Sequence, residues 1–236
     1  ADGAVYKAID FTGSYVENLN VAGRMTICNM AVEMGAKTAY MQPNDDVLRY
    51  VDQRAVRPYE VQFTDPDFQY EESYVFDVSK IGPNLACPSS VENVHPLSEV
   101  IAGGPVRLNQ GYIGSCTGGR VEDIAIAAQI LKGRHIPAYT RLIIVPASDE
   151  VMQECMKAGY IQELMCAGAT VTTPGCGACL GAHEGVLAPG EVCITSTNRN
   201  FPGRMGSTEA LMYLASPATV AASMVNGCIT DPRDFL

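Results

Sequence analysis

Three cysteines stand in glycine-rich segments that could bind a metal ion or carry out redox chemistry. Cys176 and Cys179 form a C-x-x-C pair in TPGCGACLGAHEG, and Cys116 lies in IGSCTGGR. A C-x-x-C pair alone is compatible with a redox dithiol, half of a zinc site or two ligands of an iron–sulfur cluster. The flanking glycines let backbone N–H groups approach the sulfur atoms, and such groups stabilise an anionic cluster. This setting, with a third cysteine, favours a metal centre over a redox dithiol.

Zinc is the main alternative to an iron–sulfur cluster at these positions. Cys116, Cys176, Cys179 and His183 would form a Cys3His set, and four protein ligands would close a structural zinc site. The spacing of these residues leaves three interpretations open, namely zinc, an iron–sulfur cluster and buried thiols.

Two arginines in TSTNRNFPGRMGS favour the cluster. Arg199 and Arg204 share this segment with Asn198 and Asn200, which are further hydrogen-bond donors. Arginine side chains bind carboxylates bidentately, as a site for a di- or tricarboxylic acid requires and a structural zinc does not. Three cysteines on a four-iron cluster would leave one iron without a protein ligand, able to bind a hydroxy acid as a Lewis acid. The alternative is that both arginines pair with acids on the surface.

Each of these three segments follows a predicted strand. The strands are LNQGYIGS, ATVTT and EVCITST, and they alternate with helices such as VEDIAIAAQILKG and SDEVMQECMKAG, which Ser148 caps. Strands that alternate with helices predict an α/β fold with a mostly parallel sheet. Because ligands bind outside the carboxyl ends of such strands, we expect all three segments at one edge of the sheet.

The remaining pattern predicts two domains. Residues 14–36 read as helical, KTAYM as a strand, Asn44 as the start of a helix and QYEESYVFDVS as a strand because apolar and polar residues alternate. Ser207 and Ser216 are expected to open the last two helices, and Gly227 to close the second. Residues 86–106 are rich in Pro, Gly and Ser and predict a linker between domains at 1–85 and 107–236.

Composition excludes several classes of protein. The chain has 236 residues, 47% of them hydrophobic and 18% charged, with a formal net charge of −10. An excess of acidic residues argues against a nucleic-acid partner. No apolar run is long enough to span a membrane, and the N-terminus does not resemble a signal peptide. We expect a cytoplasmic, reduced protein whose Cys155, Cys166 and Cys193 are core residues.

Four longer segments resemble the signature segments of the aconitase family, above all the large subunits of 3-isopropylmalate dehydratases and homoaconitases. They are, in family order, TICNMAVEMGA, GSCTGGRVED, PGCGACLG and LAPGEVCITSTNRNFPGRMG. The resemblance runs from about Tyr6 to the C-terminus. It implies three-layer α/β/α domains with mostly parallel sheets. It also implies a hydro-lyase that moves a hydroxyl group between adjacent carbons of a 2- or 3-hydroxy di- or tricarboxylic acid, such as isopropylmalate.

The resemblance assigns roles to eight residues. It implies that three cysteines ligate a 4Fe–4S cluster, namely Cys116, Cys176 and Cys179. It implies that three further residues bind substrate, namely Arg199, Arg204 and Asn198. It also places Asn29 and Glu33 at the catalytic site, with Glu33 as a carboxylate close to the reacting hydroxyl. These two are four apart on a predicted helix and would share a face.

The chain departs from the family in three respects. Gly118 stands where the family usually has Asn, and both the Asp-Ser-His motif of the large subunit and the domain that carries a serine base are absent from the sequence. We therefore expect a C-terminal portion of a large subunit, inactive alone. Its expected partners are the small, swivelling-domain subunit and the N-terminal portion of the large subunit. The alternatives are a non-catalytic zinc- or cluster-binding fragment that needs other chains and, less favoured by the acidic composition, an RNA-binding protein.

Overall fold

The computed structural model describes residues 2–236 and divides the chain into two compact units. The first unit ends at Ile81 and the second comprises Gly82–Leu236. The elements of the first unit are β1 (Ala8–Asp10), α1 (Ser14–Glu17), α2 (Val21–Met30), β2 (Thr38–Tyr40) and α3 (Asp45–Asp52), with 3₁₀ helices at Ala31–Met34 and Val78–Lys80.

A buried arginine organises the first unit. Strands β1 and β2 pair in parallel, and α2 lies between them in the chain. Arg24 of α2 is 5% exposed, and its guanidinium donates to the carbonyl oxygens of Val16 (2.7 Å), Leu19 (2.9 Å) and Gln42 (2.8 Å). Because a buried cation is costly unless its donors are satisfied, these bonds fix α2 against the segments on either side of it.

The predicted strand over residues 69–79 is wrong. Val75 is 99% exposed and Phe76 is 75% exposed, so neither face of this segment is buried. Alternation of residue types favours a strand only where a neighbouring strand supplies hydrogen bonds, and this segment pairs with none. The predicted strand at residues 37–41 and the helix opened by Asn44 are confirmed as β2 and α3. The predicted helix over 14–36 is divided into α1, α2 and a 3₁₀ turn.

The second unit contains most of the regular structure. Its strands are β3 (Asn84–Ala86), β4 (Val94–Pro96), β5 (Gln110–Gly114), β6 (Arg141–Val145), β7 (Thr170–Val171), β8 (Val192–Thr195) and β9 (Leu211–Leu214). Its helices are α4 (Leu97–Ala102), α5 (Ser115–Gly118), α6 (Val121–Leu131), α7 (Asp149–Lys157), α8 (Tyr160–Cys166) and α9 (Pro217–Asn226), with 3₁₀ helices at Gly177–Leu180 and Pro232–Phe235. None of the helices within residues 2–236 is long and apolar enough to cross a bilayer.

A seven-stranded sheet forms the centre of the second unit. The strand order is β4-β3-β9-β8-β5-β6-β7. The five strands from β9 to β7 pair in parallel, and β3 pairs antiparallel with both β4 and β9. This arrangement confirms the predicted α/β fold with a mostly parallel sheet.

Helical segments lie on both faces of this sheet, and the two faces differ in what covers them. Ile113, Ile144 and Ile194 pack with apolar residues of α6, α8 and α9 on one face. The alternate residues of the same strands, including Tyr112 and Ile143, pack on the other face with the 3₁₀ helix at Gly177–Leu180 and with residues of long loops. Loops therefore form most of the second cover.

The predicted linker at residues 86–106 is part of the second unit. The end of β3, strand β4 and helix α4 lie within it, and Leu97 is 1% exposed. Its Pro and Gly residues mark turns between short elements instead of a free connection, and the division of the chain falls between Ile81 and Gly82.

Two helices were predicted near the C-terminus; one of them is confirmed, and the other is a strand. Ser216 accepts a hydrogen bond of 3.2 Å from the Thr219 backbone N–H at the start of α9, and Gly227 ends that helix at φ 66°. The helix expected to open at Ser207 is wrong, because Leu211–Leu214 forms β9 between β8 and β3. Pairing on both sides outweighs the weak helical preference of so short a segment.

The carboxylate that caps α6 should make the stability of the protein depend on pH. The Asp123 side chain accepts a hydrogen bond of 3.0 Å from the Arg120 backbone N–H. Burial raises the pKa of Asp123 from 3.8 to about 6, so the folded state binds this proton more tightly than the unfolded state. We expect this group to lower the free energy of unfolding as the pH rises from 3.8 through about 6. Over this pH range, urea unfolding should show the wild type losing stability relative to Asp123→Asn, which keeps an acceptor. The same pH dependence in both proteins would contradict this assignment.

Candidate functional site

Three loops meet at one edge of the sheet of the second unit. Strands β8, β5, β6 and β7 are parallel neighbours, so their carboxyl ends lie at the same edge. Helix α5, which carries Cys116, follows β5. Residues 172–191, the thiol loop, follow β7 and carry Cys176 and Cys179, and residues 196–210, the arginine loop, follow β8. The expectation that all three segments lie at one edge is confirmed.

A buried serine joins the arginine loop to the turn that holds Cys116. The Ser196 hydroxyl accepts a hydrogen bond of 3.2 Å from the Gly114 backbone N–H and donates one of 3.1 Å to the Gly118 carbonyl oxygen. Ser115 has φ 64°, a left-handed conformation that turns the chain sharply out of β5. Cys116 follows directly and is exposed.

The same serine explains why residue 118 is a glycine. A Cβ atom at Gly118 would lie 2.4 Å from Ser196 Oγ and 2.5 Å from the Ser196 carbonyl oxygen. One of these two atoms is backbone, so a change of side chain at position 196 would not make enough room. The asparagine that the resemblance leads one to expect here therefore does not fit this arrangement of the two loops.

The thiol loop lies directly on β5. The hydroxyl of the fully buried Tyr112 donates a hydrogen bond of 2.7 Å to the Cys176 carbonyl oxygen. Gly177, at φ 51°, passes so close that a Cβ atom there would lie 2.8 Å from that hydroxyl. Burial, followed by the nearby thiols of Cys179 and Cys176, raises the pKa of Tyr112, so the hydroxyl keeps its proton and remains a donor. Cys176 is exposed, whereas Cys179 is 4% exposed.

One of the predicted arginines contacts one of the predicted thiols. Arg204 Nη2 donates to Cys179 Sγ at 3.6 Å. Arg199 is half-buried in the same loop, and Asn198 is 7% exposed. Asn200, expected as a further donor to a ligand, instead turns into the protein, where its amide nitrogen donates to the Cys87 carbonyl oxygen at 2.8 Å. Asn200 anchors the arginine loop, and that expectation for it is wrong.

Buried polar atoms without a hydrogen-bond partner concentrate in these loops. Five such side-chain atoms occur in residues 2–236, and four of them are Ser115 Oγ, Arg120 Nε, Asn200 Oδ1 and Arg204 Nε. Buried polar groups are otherwise almost always paired. Asn200 Oδ1 can only accept, but the other three atoms can donate to an anion. These donors, with a cationic side chain beside a thiol, fit a site for an anionic group.

The thiols do not converge on a common point. Among residues 2–236, no three or more Cys, His, Asp or Glu side chains are arranged to hold a metal ion. This applies to the predicted set of Cys116, Cys176 and Cys179 and to the alternative that adds the exposed His183. The three cysteines form no disulfides and lie in loops that meet at one edge, so the chemistry of the donors suits a thiolate-ligated group. Their role as ligands stays a prediction.

Asn29 and Glu33 lie in the first unit. Asn29 is in the last turn of α2, and Glu33 is in the 3₁₀ helix Ala31–Met34 that follows it; both are half-buried. The α-helix that was predicted to carry both residues therefore ends between them. Their catalytic role stays a prediction.

The other cysteines divide into core and surface. Burial raises the pKa of Cys193 to about 12 and that of Cys155 to about 11, and both are completely buried, as predicted. Cys166 was expected in the core, but it is exposed at the end of α8, and that prediction is wrong.

Two polar residues beneath the thiol loop were not predicted from the sequence. Gln110 and Tyr112 occupy alternate positions of β5, are both 0% exposed, and hydrogen-bond to the thiol loop. Two polar side chains on the same face of a completely buried strand are a signal that could have identified them.

A family model described as "Aconitase family (aconitate hydratase)" matches residues 1–227. The chain therefore belongs to the aconitase family. The chain is 50% identical over 231 residues to a "Probable methanogen homoaconitase large subunit" of Methanosarcina mazei, which covers 98% of this chain and 58% of the relative. It is 49% identical to a "3-isopropylmalate dehydratase large subunit 1" of Methanopyrus kandleri, which covers 100% of this chain and 56% of the relative. The chain thus spans about half the length of these curated relatives.

Replacement of Gly118 tests how closely the Cys116 turn and the arginine loop pack. We expect Gly118→Ala to lower the free energy of unfolding by about 1–3 kcal/mol, because the added methyl overlaps Ser196. Urea unfolding measures the change. Gly82→Ala is a matched control, since a Cβ atom at Gly82 meets nothing within 4 Å. Equal stability of the two variants would show that the loops can separate without cost.

Proposed function

We propose that this chain is the cluster-binding part of the large subunit of a 4Fe–4S-dependent hydro-lyase. Its substrate is a 2- or 3-hydroxy di- or tricarboxylic acid such as isopropylmalate. The contact between Arg204 and Cys179 at the common edge of the sheet is the main support, because it brings a carboxylate-binding side chain to a thiol. The similarity to large subunits named homoaconitase and 3-isopropylmalate dehydratase supports the same class of reaction.

The three cysteines that hold the cluster in this proposal come from two loops. Cys116 approaches from the turn after β5, and Cys176 and Cys179 from the thiol loop. When bound, a 4Fe–4S cluster with three protein ligands supplies a Lewis-acidic iron for the hydroxyl group of the substrate. Cys116 and Cys176 are exposed, so both are accessible to an incoming cluster.

The arginine loop positions the substrate. Arg204 and Arg199 bind its carboxylates, and Asn198 adds a hydrogen bond. The guanidinium of Arg204 is partly removed from water, with its Nε buried and unpaired by protein, so a carboxylate that binds there gains more than it would at an exposed arginine. Glu33 acts as the carboxylate near the reacting hydroxyl and Asn29 as a donor beside it.

Turnover needs other polypeptides. The relatives are named large subunits, and this chain spans about half of their length. The small, swivelling-domain subunit and the N-terminal portion of a large subunit are the partners in this proposal. The isolated chain binds the cluster but does not dehydrate its substrate.

Anaerobic reconstitution with ferrous iron and sulfide tests the cluster. We expect a brown protein with an absorbance shoulder at about 400 nm, where thiolate-to-iron charge transfer falls. Cys116→Ser, Cys176→Ser and Cys179→Ser should each lose most of that absorbance and of the bound iron, because each removes a ligand. Iron and acid-labile sulfide assays give the stoichiometry.

Cys166→Ser is the matched control for the ligand variants, because Cys166 is also an exposed cysteine and lies on α8, away from the three loops. It should reconstitute as the wild type does. A colourless chain that binds one zinc ion through the same three cysteines would instead support the zinc-binding alternative. Reconstitution that is unaffected by all three ligand variants would refute the assignment.

The role of the arginines is tested in the assembled enzyme. The reconstituted chain is mixed with a small subunit and an N-terminal large-subunit portion, and the ultraviolet absorbance of the alkene product is followed. We expect Arg204→Lys and Arg199→Lys to lower kcat/KM by about tenfold to a hundredfold, because lysine keeps the charge but loses the bidentate geometry.

Arg233→Lys is the control for this measurement. Arg233 pairs with Asp231 through an ion pair between side chains near the C-terminus, so its replacement should leave kcat/KM unchanged. Turnover by the isolated chain without either partner would contradict the proposed need for them. Wild-type kinetics of both arginine-loop variants would contradict the proposed substrate contacts.

A further inference from the structure

Two side chains of β5 hold the thiol loop from below. Gln110 and Tyr112 are alternate residues of this strand and therefore point to the same face of the sheet. The Tyr112 hydroxyl donates to the Cys176 carbonyl oxygen at 2.7 Å, and Gln110 Nε2 donates to the Gly185 carbonyl oxygen at 2.9 Å. The two hydrogen bonds hold the loop at positions on either side of Cys179.

Gln110 is itself held by an ion pair at the opposite edge of the sheet. Its Oε1 accepts a hydrogen bond of 2.5 Å from Arg141 Nε, and the same guanidinium binds both carboxylate oxygens of Glu191 at 2.7 and 2.5 Å. Glu191 also accepts a hydrogen bond of 2.8 Å from the Ala188 backbone N–H. This network fixes the amide group of Gln110 so that its N–H points to the thiol loop, and it fixes the end of the loop as well.

Close packing restrains the loop beside each of these two points. A Cβ atom at Gly185 would lie 2.3 Å from Ile143 Cδ1, and one at Gly177 would lie 2.8 Å from the Tyr112 hydroxyl. Both glycines have positive φ, 88° and 51°, so the backbone follows a path that other residues rarely adopt. Ala178 and Cys179 are buried in the apolar cluster beneath it.

We propose that Tyr112 and Gln110 are positioning residues that hold the Cys176–Cys179 pair in place before any cluster is bound. This inference rests on the proposed function for the meaning of the pair, but the restraint itself is a property of the apoprotein. Removal of either bond lets the loop open locally, and Cys179 becomes accessible while the sheet beneath remains folded.

Alkylation of the apoprotein with iodoacetamide, with the modified cysteines identified by mass spectrometry, measures this opening. Tyr112→Phe removes the bond to Cys176. Gln110→Glu keeps the acceptor for Arg141 but removes the N–H that binds Gly185. We expect each variant to raise the alkylation rate of Cys179 by about fivefold, the effect of one lost hydrogen bond on a local opening equilibrium.

Cys155 is an internal reference, because it is completely buried on the helical face of the sheet and becomes accessible on global unfolding. Tyr213→Phe and Gln162→Glu are the matched control variants. Tyr213 packs on the helical face of the sheet, and Gln162 is exposed on α8. In the controls the alkylation rate of Cys179 should remain that of the wild type.

Three results would overturn the proposal. The first is an unchanged alkylation rate of Cys179 in both β5 variants. The second is a parallel rise of the Cys179 and Cys155 rates, and the third is an equal rise of the Cys179 rate in the controls. If a β5 variant does not fold, hydrogen exchange in the wild type decides. The backbone amides of Cys179 and Gly181, which donate to the Cys176 and Ala178 carbonyl oxygens, should exchange more slowly than those of the exposed residues 59–63. Equally fast exchange would contradict a restrained loop.

Reconstitution of the cluster distinguishes a failure of this proposal from a failure of the proposed function. The β5 variants should bind less iron than the wild type at limiting iron and sulfide, with reduced absorbance at about 400 nm. A wild type that binds no cluster would refute the proposed function and leave the alkylation result valid. A β5 variant with an open loop and wild-type cluster binding would refute the role of the restraint in assembly.

Discussion

Strand β5 lies within the parallel part of the sheet, hydrogen-bonded to β8 on one side and to β6 on the other. The turn at its carboxyl end carries Cys116, and β8 ends beside it with the arginine loop. The backbone N–H of Ser196 donates to the Tyr112 carbonyl oxygen at 3.0 Å, which extends the pairing of the two strands into the loops. Parallel pairing alone thus fixes where the first thiol segment and the arginines meet, before any side chain contributes.

The face of the sheet that loops cover carries a free-energy cost that the face covered by helices does not. Helices satisfy their own backbone groups, whereas loops that cover an apolar surface need other partners. Tyr112, Ser196 and Asn200 supply them, each bonded to loop or strand backbone. Four buried side-chain atoms around these loops nevertheless have no partner, and among them Arg204 Nε is a donor on a side chain that contacts Cys179. Hydrogen bonds to backbone thus hold the loops, and the unpaired donors are available to a ligand.

The sequence predicted the features that depend on local pattern. The three strands before the chemical loops, the caps at Ser148 and Ser216, and the meeting of the loops at one edge follow from periodicity and from the geometry of parallel sheets. β9 and the fold of residues 86–106 depend on pairing with distant strands, and no local pattern contains that information. The inward turn of Asn200 likewise depends on the Cys87 carbonyl group, which lies far away in the sequence.

The residues proposed to bind cluster and substrate and the residues proposed to act on the hydroxyl lie in different units of the chain. The cysteines, the arginines and the residues that hold their loops all belong to Gly82–Leu236, which has its own apolar clusters on both faces of its sheet. The arrangement of these loops is therefore determined within the second unit. Asn29 and Glu33 belong to the first unit, where Arg24 fixes the helix that carries Asn29. If the proposed roles hold, the groups that bind cluster and substrate are folded by one core, and the groups nearest the reacting hydroxyl by another. Binding of cluster and substrate would then depend on a different folding unit of this chain from the one that carries the groups proposed to act on the hydroxyl.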